Sequence, residues 1–215
     1  MNKLINNPKE LIFEFNDLSF RDTNSLSPAL FLDRDGVIIK DVGYISNPDD
    51  VILEPGVENL LRRYFEIGIP VIVITNQSGI SRGYYKWDDF EKINKKMFEL
   101  IGTNNPIIAI YANSHIEDDE NNWRKPNPSM ILSASQKYNL NINKSIFVGD
   151  RLSDMLAGCR SGIKTLIHLK TGHGYGEYKN ILKFCNEDYF CFKDKNSRIF
   201  FREDLLQFPY EILNL

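Results

Sequence analysis

Cysteine is scarce in this chain and forms no recognisable framework. Cys159, Cys185 and Cys191 are an odd count with no Cys-x-x-Cys pair, which argues against a disulfide scaffold and fits reduced thiols. Long apolar runs are missing as well: nothing approaches the ~20 residues needed to cross a bilayer, and the opening MNKLINNPKELIFEF lacks the uninterrupted core of a signal peptide. The expectation is a cytoplasmic protein with no membrane partner. No long basic run occurs, and the net charge is -3 over 215 residues, which sets nucleic acid aside as the main partner. A small anionic substrate stays open, because a pocket can be locally positive on an acidic protein. Internal repeats and low-complexity linkers are lacking too, so one domain is expected.

What is present begins with Ala29 to Asp41, ALFLDRDGVIIKD. An apolar run ending in Asp33, Arg34, Asp35 and Gly36 suggests a buried parallel strand that terminates in two carboxylates. Side-chain alternation puts Asp33 and Asp35 on one side, where their charges repel unless a cation or a shared proton intervenes. Either a metal site or a proton transfer follows. The plainer alternative is a pair of turn aspartates, since Asp-Gly is a common turn dipeptide.

Along the chain, residues 1 to 28 are polar and Asn-rich around Leu11, Ile12, Phe13, Phe15, Leu18 and Phe20, and read as an extension that is either a short strand or an arm. Lys40 to Pro55 reads as a loop. Val57, Leu60, Leu61, Tyr64 and Phe65 recur at helical spacing, with Gly68 as a stop. Pro70 to Thr75 is a second buried strand, followed by a helix carrying Phe90, Ile93, Met97, Leu100 and Ile101 on one face. Ile107 to Tyr111 is a third strand, then comes a polar loop to Lys125, and a helix capped by Asn127 with Pro128 in its first turn. Ser145 to Val148 and Ile163 to His168 are further strands around a short helix closed by Gly162. Lys170 to Gly176 reads as an irregular glycine-rich loop. Tyr189 to Phe192 and Ile199 to Phe201 read as edge strands, and Glu203 to Leu213 as a helix disturbed by Pro209. The aromatic tail either closes the sheet edge or forms a dimer surface.

Strands alternating with helices point to an α/β fold with a parallel sheet covered on both faces. Right-handed crossovers bring the strand C-termini to one edge, where ligands bind in such sheets. Asp33, Asp35, Thr75, Asn76 and Asp150 all fall at those ends. Phosphoryl transfer to a carboxylate requires this combination. Asp33 would attack phosphorus, Asp35 would protonate the leaving oxygen and activate water, and Asp150 would complete an oxygen site for Mg²⁺. Thr75 and nearby N–H groups would hold phosphoryl oxygens, with Lys125 supplying positive charge.

In DRDGV (33–37), TNQSG (75–79), Lys125-Pro126 and GDRLSD (149–154) the chain resembles phosphatases of the haloacid dehalogenase superfamily, and within it the D-glycero-D-manno-heptose 1,7-bisphosphate 7-phosphatases and the histidinol-phosphate phosphatases. The resemblance covers roughly residues 29 to 172 and implies a Rossmann-like domain over 29–215 with a minimal cap or none. It implies Mg²⁺ held by Asp33, the main-chain carbonyl of Asp35, and Asp150. It also implies substrate contacts from Arg34, from Asp41, Val42, Gly43 and Tyr44, from Asn76, Gln77 and Ser78, and from Arg124 and Arg151. Asp154 is the second acid of the fourth motif, with a helix cap as the alternative. Many relatives carry a zinc loop before Arg-Lys-Pro, but here Ala112, Ser114, Asn121 and Trp123 stand at the ligand positions, so no zinc is expected and Trp123 packing is expected to hold the loop. The implied activity is hydrolysis of a small sugar phosphate, heptose bisphosphate first and histidinol phosphate as runner-up, by a monomer or homodimer. A non-catalytic binding member of the same fold is the rival class. His115, His168 and His173 carry no assigned role, Tyr84, Tyr85 and Trp87 are expected to pack, and Arg82-Gly83 either touches substrate or finishes a turn.

Overall fold

A computed structural model of the chain describes residues 2–15, 26–117 and 122–213. Asn121, Leu18 and Phe20 lie outside them. The elements in order are β1 (Asn2–Asn7), β2 (Glu10–Glu14), β3 (Leu30–Leu32), α1 (Val57–Glu66), β4 (Val71–Asn76), α2 (Ser78–Ser81) and α3 (Trp87–Ile101). They continue with β5 (Ile107–Asn113), α4 (Ser129–Tyr138), β6 (Ile146–Gly149), α5 (Leu152–Ser161), β7 (Thr165–Leu169), α6 (Gly174–Leu182), β8 (Cys185–Asn186), β9 (Tyr189–Phe192) and β10 (Lys195–Arg202).

The ten strands among the described residues join one sheet in the order β1-β2-β5-β4-β3-β6-β7-β10-β9-β8. The run from β5 to β10 is parallel throughout, and an antiparallel pair closes each end. Alternation along the central strands sends Leu30, Leu32, Val71 and Val73 to one face, where Leu60, Leu61 and Tyr64 of α1 and Phe90, Ile93 and Met97 of α3 cover them. Phe31, Ile72 and Ile74 go to the other face, under Met130 and Ile131 of α4, Met155 of α5 and Ile181 of α6. Each fully buried aliphatic or aromatic side chain stabilises by about 1.5–3 kcal/mol. The two apolar layers therefore hold the strand tips in register. Between β3 and α1 the chain carries only a short 3₁₀ turn, Pro48–Asp50, so among the described residues no separate cap covers the tips.

Several boundaries differ from the sequence reading. The opening residues form a hairpin, β1 and β2, whose second strand pairs with β5. Pro128, not Asn127, caps α4, because the Asn127 side chain donates to the Asn122 carbonyl and accepts from the Ser129 hydroxyl. The glycine-rich stretch is only partly a loop: Gly174 begins α6. The C-terminal helix is instead two 3₁₀ turns, Leu205–Gln207 and Tyr210–Leu213, with Pro209, which has no N–H for a continuous ladder, between them.

Candidate active site

The site grows from the place where strand order reverses, between β3 and β6. Leu32 pairs with Val148, and the Asp33 N–H donates to the Val148 carbonyl at 3.0 Å, so Asp33 and Asp150 leave the sheet from adjacent tips. One carboxylate oxygen each from Asp33, Asp150 and Asp154 lies within 4.8 Å of the others, and all of these residues are buried. Lys125 faces them. Its Nζ is 2.8 Å from Asp33 Oδ2 and 2.7 Å from Asp154 Oδ1, and it donates to the Ile74 carbonyl at 2.8 Å. One hydrogen bond to a main-chain carbonyl and two carboxylates at ion-pair distance thus surround the ammonium. The Asn76 side chain places this lysine by bonding both its N–H (3.0 Å) and its carbonyl (3.1 Å).

The acids outnumber the lysine, and the balance shows in their titration. Burial pushes the Asp33 carboxyl up to about 7, with Lys125 pulling down and Asp154 adding to the rise. Burial also raises Asp150 well above the ordinary carboxylate range, with Asp154 and Asp33 adding to it. For Lys125 burial works to lower the value, but Asp154 and Asp33 outweigh it and raise it. Asp150 Oδ2 accepts the His173 N–H at 2.7 Å, whereas Asp150 Oδ1 is buried without a partner. An orphaned carboxylate oxygen among surplus buried acids is what a hard divalent cation satisfies, so the residues fit Mg²⁺. Asp154 is differently occupied. Its Oδ2 accepts the Arg151 N–H at 2.9 Å and its Oδ1 faces Lys125, so both the capping and the motif reading describe it, and it acts by fixing the lysine.

Asp35 is held from below. Arg34 grips both its oxygens through Nη2, at 2.9 and 3.0 Å, and Gln77 Nε2 donates to Oδ2 at 2.8 Å. Arg34 itself is 1% exposed, stacked over Phe90 and bonded to Asn94 and Gln77. The expected substrate contact from Arg34 is therefore corrected: its guanidinium is sealed under the site and orients Asp35.

In front of these groups lies a cavity of about 450 Å³, within the ordinary range for a small ligand, lined by Asp33, Asp35 and Lys125 together with four loops. Asp41, Gly43 and Tyr44 come from the first, Asn76, Gln77 and Ser78 from the second, and Arg124 and Arg151 from those after β5 and β6. Val42 is corrected: it is 57% exposed and does not line the cavity, because Asp41 Oδ1 accepts the Gly43 N–H and turns the loop tip outward. Thr75 is not on the wall either. It is buried, its hydroxyl accepting from Gln77 Nε2 at 2.7 Å. Asp41 Oδ2 receives Arg151 Nη2 at 3.4 Å and His173 Nε2 at 3.0 Å.

His173, Ser153 and Tyr85 line the cavity without having been assigned to it. Tyr85 donates to Gln77 at 2.5 Å, a polar handle that reading it as packing overlooks. A signal for His173 existed in its position just after a strand that ends on the ligand edge. The loop at the zinc position is held by other means. His115 Nε2 meets Glu10 Oε1 at 2.9 Å, the Trp123 N–H donates to the same oxygen at 3.0 Å, and the Trp123 ring packs on Tyr111. His115 is thus a partner of Glu10 rather than a free surface residue.

A strand-tip carboxylate facing a buried lysine and an acid cluster, on a Rossmann-like sheet with no separate cap among the described residues, defines a phosphatase of the haloacid dehalogenase type. Comparison with known proteins extends this. The family model described as polynucleotide kinase 3 phosphatase matches residues 29–174. The D-glycero-beta-D-manno-heptose-1,7-bisphosphate 7-phosphatase of Helicobacter pylori (strain J99) is 39% identical over 162 residues, 71% of this chain and 92% of that protein. The D-glycero-alpha-D-manno-heptose-1,7-bisphosphate 7-phosphatase of Campylobacter jejuni is 39% identical over 78% of this chain and 97% of that protein. The crystal structure of the D,D-heptose 1,7-bisphosphate phosphatase of B. bronchiseptica, complexed with magnesium and phosphate, superposes with a TM-score of 0.72 at 26% identity, covering 86% of this chain and 98% of that one. The chain belongs to the haloacid dehalogenase superfamily, in the family of the D-glycero-D-manno-heptose-1,7-bisphosphate 7-phosphatases.

Proposed function

We propose that this protein is a Mg²⁺-dependent phosphoric monoester hydrolase that removes the 7-phosphate from D-glycero-D-manno-heptose 1,7-bisphosphate. The observation that carries the reading is that Asp33 lies 2.8 Å from Lys125 Nζ and within 4.8 Å of a carboxylate oxygen of Asp150. Asp33 is the nucleophile: a carboxylate oxygen attacks phosphorus and the bond to the sugar oxygen breaks. Asp35, oriented by Arg34 and Gln77, gives its proton to that leaving oxygen. It then takes a proton from water as the water attacks the aspartyl-phosphate, which returns Asp33 and releases phosphate. Asp33, the main-chain carbonyl of Asp35, and Asp150 would hold Mg²⁺, which when bound offsets negative charge on the phosphoryl oxygens. Lys125, held by the Ile74 carbonyl and flanked by Asp33 and Asp154, is a fixed cation for that charge and not a proton carrier. Asn76, Gln77 and Ser78 line the phosphoryl end, with Thr75 anchoring Gln77 from behind. Arg124, Arg151 and the Asp41 to Tyr44 loop face the sugar and its second phosphate.

The catalytic unit on this reading spans 29–215, with the hairpin ahead of it bordering the sheet. The enzyme works in the cytoplasm, where Cys159, Cys185 and Cys191 stay reduced, as a monomer or homodimer. Purified protein with Mg²⁺ is expected to release phosphate from heptose bisphosphate faster than from histidinol phosphate, and Asp33→Asn to abolish the release. Turnover that survives Asp33→Asn overturns the mechanism, and a preference for histidinol phosphate overturns the substrate.

A further inference from the structure

The glycine-rich stretch after β7 has no part in the chemistry described so far, yet it touches both halves of the site. The Thr171 hydroxyl donates to the Gly36 carbonyl at 2.5 Å, pinning the loop to the turn after Asp35. Gly172, at φ +52°, brings its backbone against Gly36, where an added Cβ would lie 2.8 Å from Gly36 Cα and would overlap Asp150 Oδ2. Only a residue without a side chain permits that approach. The next N–H, from His173, then reaches Asp150 Oδ2 at 2.7 Å, which leaves Oδ1 as the oxygen without a partner. The His173 ring turns the other way and meets Asp41 Oδ2 at 3.0 Å. The ring nitrogen and the carboxylate oxygen stand within ion-pair distance of each other. Asp41 is thereby tied by Gly43 within its own loop, by Arg151 after β6 and by His173 after β7.

We infer that His173 is a positioning residue with two separable jobs: its main chain aims the metal-binding oxygen of Asp150, and its ring holds the Asp41 to Tyr44 loop over the sugar. This deepens the reading of the previous subsection and rests on it for the sugar half, whereas the metal half stands on the Asp150 geometry alone. Outer groups that orient metal ligands typically govern affinity by 10–100-fold. Removing the N–H is therefore expected to weaken Mg²⁺ binding, and removing the ring to weaken substrate capture.

The test separates the jobs with His173→Ala, which keeps the N–H and loses the ring, and His173→Pro, which loses both. The native φ of -85° is close to the range proline adopts. Mg²⁺ titration by calorimetry on metal-free protein should show His173→Ala binding like the parent and His173→Pro about tenfold or more weaker. With heptose bisphosphate, His173→Ala should raise KM about tenfold and change kcat less than about threefold, a loss of roughly 1.4 kcal/mol in capture. His173→Gln, which returns a donor toward Asp41, should recover part of that KM. If His173→Pro does not fold, Thr171→Val replaces it and should weaken Mg²⁺ binding severalfold. Equal Mg²⁺ affinity in the N–H-deleted or unpinned variant and the parent overturns the metal half. An unchanged KM in His173→Ala overturns the sugar half. Absent turnover of heptose bisphosphate by the parent, with the Mg²⁺ differences intact, removes the substrate reading and the sugar half and leaves the metal half standing.

Discussion

Asp33 Oδ2 and Lys125 Nζ stand 2.8 Å apart, both buried. Desolvation of a pair like this is tolerable only while each charge keeps its counterpart. Lys125→Met leaves Asp33 and Asp154 facing each other uncompensated. The expected result in Mg²⁺-free protein is a loss of about 3–5 kcal/mol, together with a fall in turnover of about a hundredfold or more. Thermal unfolding and phosphate release measure the two effects, and a variant as stable as the parent contradicts the assignment.

Arg34 makes its contribution through Asp35. Arg34→Lys keeps the charge but cannot reproduce the fork that grips both carboxylate oxygens. Turnover should fall about 10- to 100-fold with little change in KM, the pattern of an acid/base group left free to wander. A rise in KM alone would return Arg34 to the substrate-contacting set.

Proton and metal compete for Asp33. Because burial raises its carboxyl from an ordinary 3.8 to about 7, the folded metal-free protein prefers the protonated form, and this group costs stability progressively as pH rises from about 4 through 7. At pH 6 Mg²⁺ must displace that proton, and at pH 8 it need not. The rise in Tm at a fixed Mg²⁺ concentration should therefore be larger at pH 8 than at pH 6. Equal increments would show that Asp33 does not titrate in this range.

His168 works in the opposite sense. Burial lowers its imidazole from 6.5 to about 4, despite the Nε2–H bond to the Asp150 carbonyl at 3.1 Å. Its contribution to stability is complete above pH 6.5 and is lost as pH falls toward 4. The Tm advantage of the Mg²⁺-bound parent over His168→Gln should shrink between pH 7 and pH 5. A constant advantage would contradict a neutral buried ring.

Glu10 ties the N-terminal hairpin to the loop that carries Arg124. It accepts from Asn6, Asn7, the Trp123 N–H and the His115 ring. Glu10→Ala leaves those donors unpaired at a cost of about 1–3 kcal/mol each where they are buried. KM for the sugar phosphate should rise more than kcat falls, since Arg124 sits at the end of this loop and Lys125 is held separately by Asn76. A change confined to kcat would show that the hairpin acts on the chemistry instead.

Much of this site was legible because the chemistry sits on strand tips, and alternating buried strands are among the plainest patterns a sequence carries. Asp33, Asp35 and Asp150 are placed by their position after apolar runs, and Lys125 by the Lys-Pro pair that closes a polar loop. What stayed hidden depended on direction rather than position. Arg34 lies between two pocket acids in sequence, yet the turn at Gly36 drives its guanidinium inward onto Phe90. Thr75 and Gln77 are neighbours in one motif, but only the second reaches the cavity. His173 lay in a stretch whose glycines fit no phosphate-binding fingerprint, and their purpose, a close approach to Gly36, is visible only in three dimensions. The helix from Gly174 is illegible in the sequence because two glycines in its first turn weaken local propensity, and packing of Ile181 supplies the stability instead.

Asn76, the last residue of β4, grasps Lys125 by both its amide and its carbonyl, so the position of this cation is set by the sheet. A change that displaces Arg124 from the cavity wall should therefore weaken capture of the substrate while Lys125 keeps its place beside Asp33.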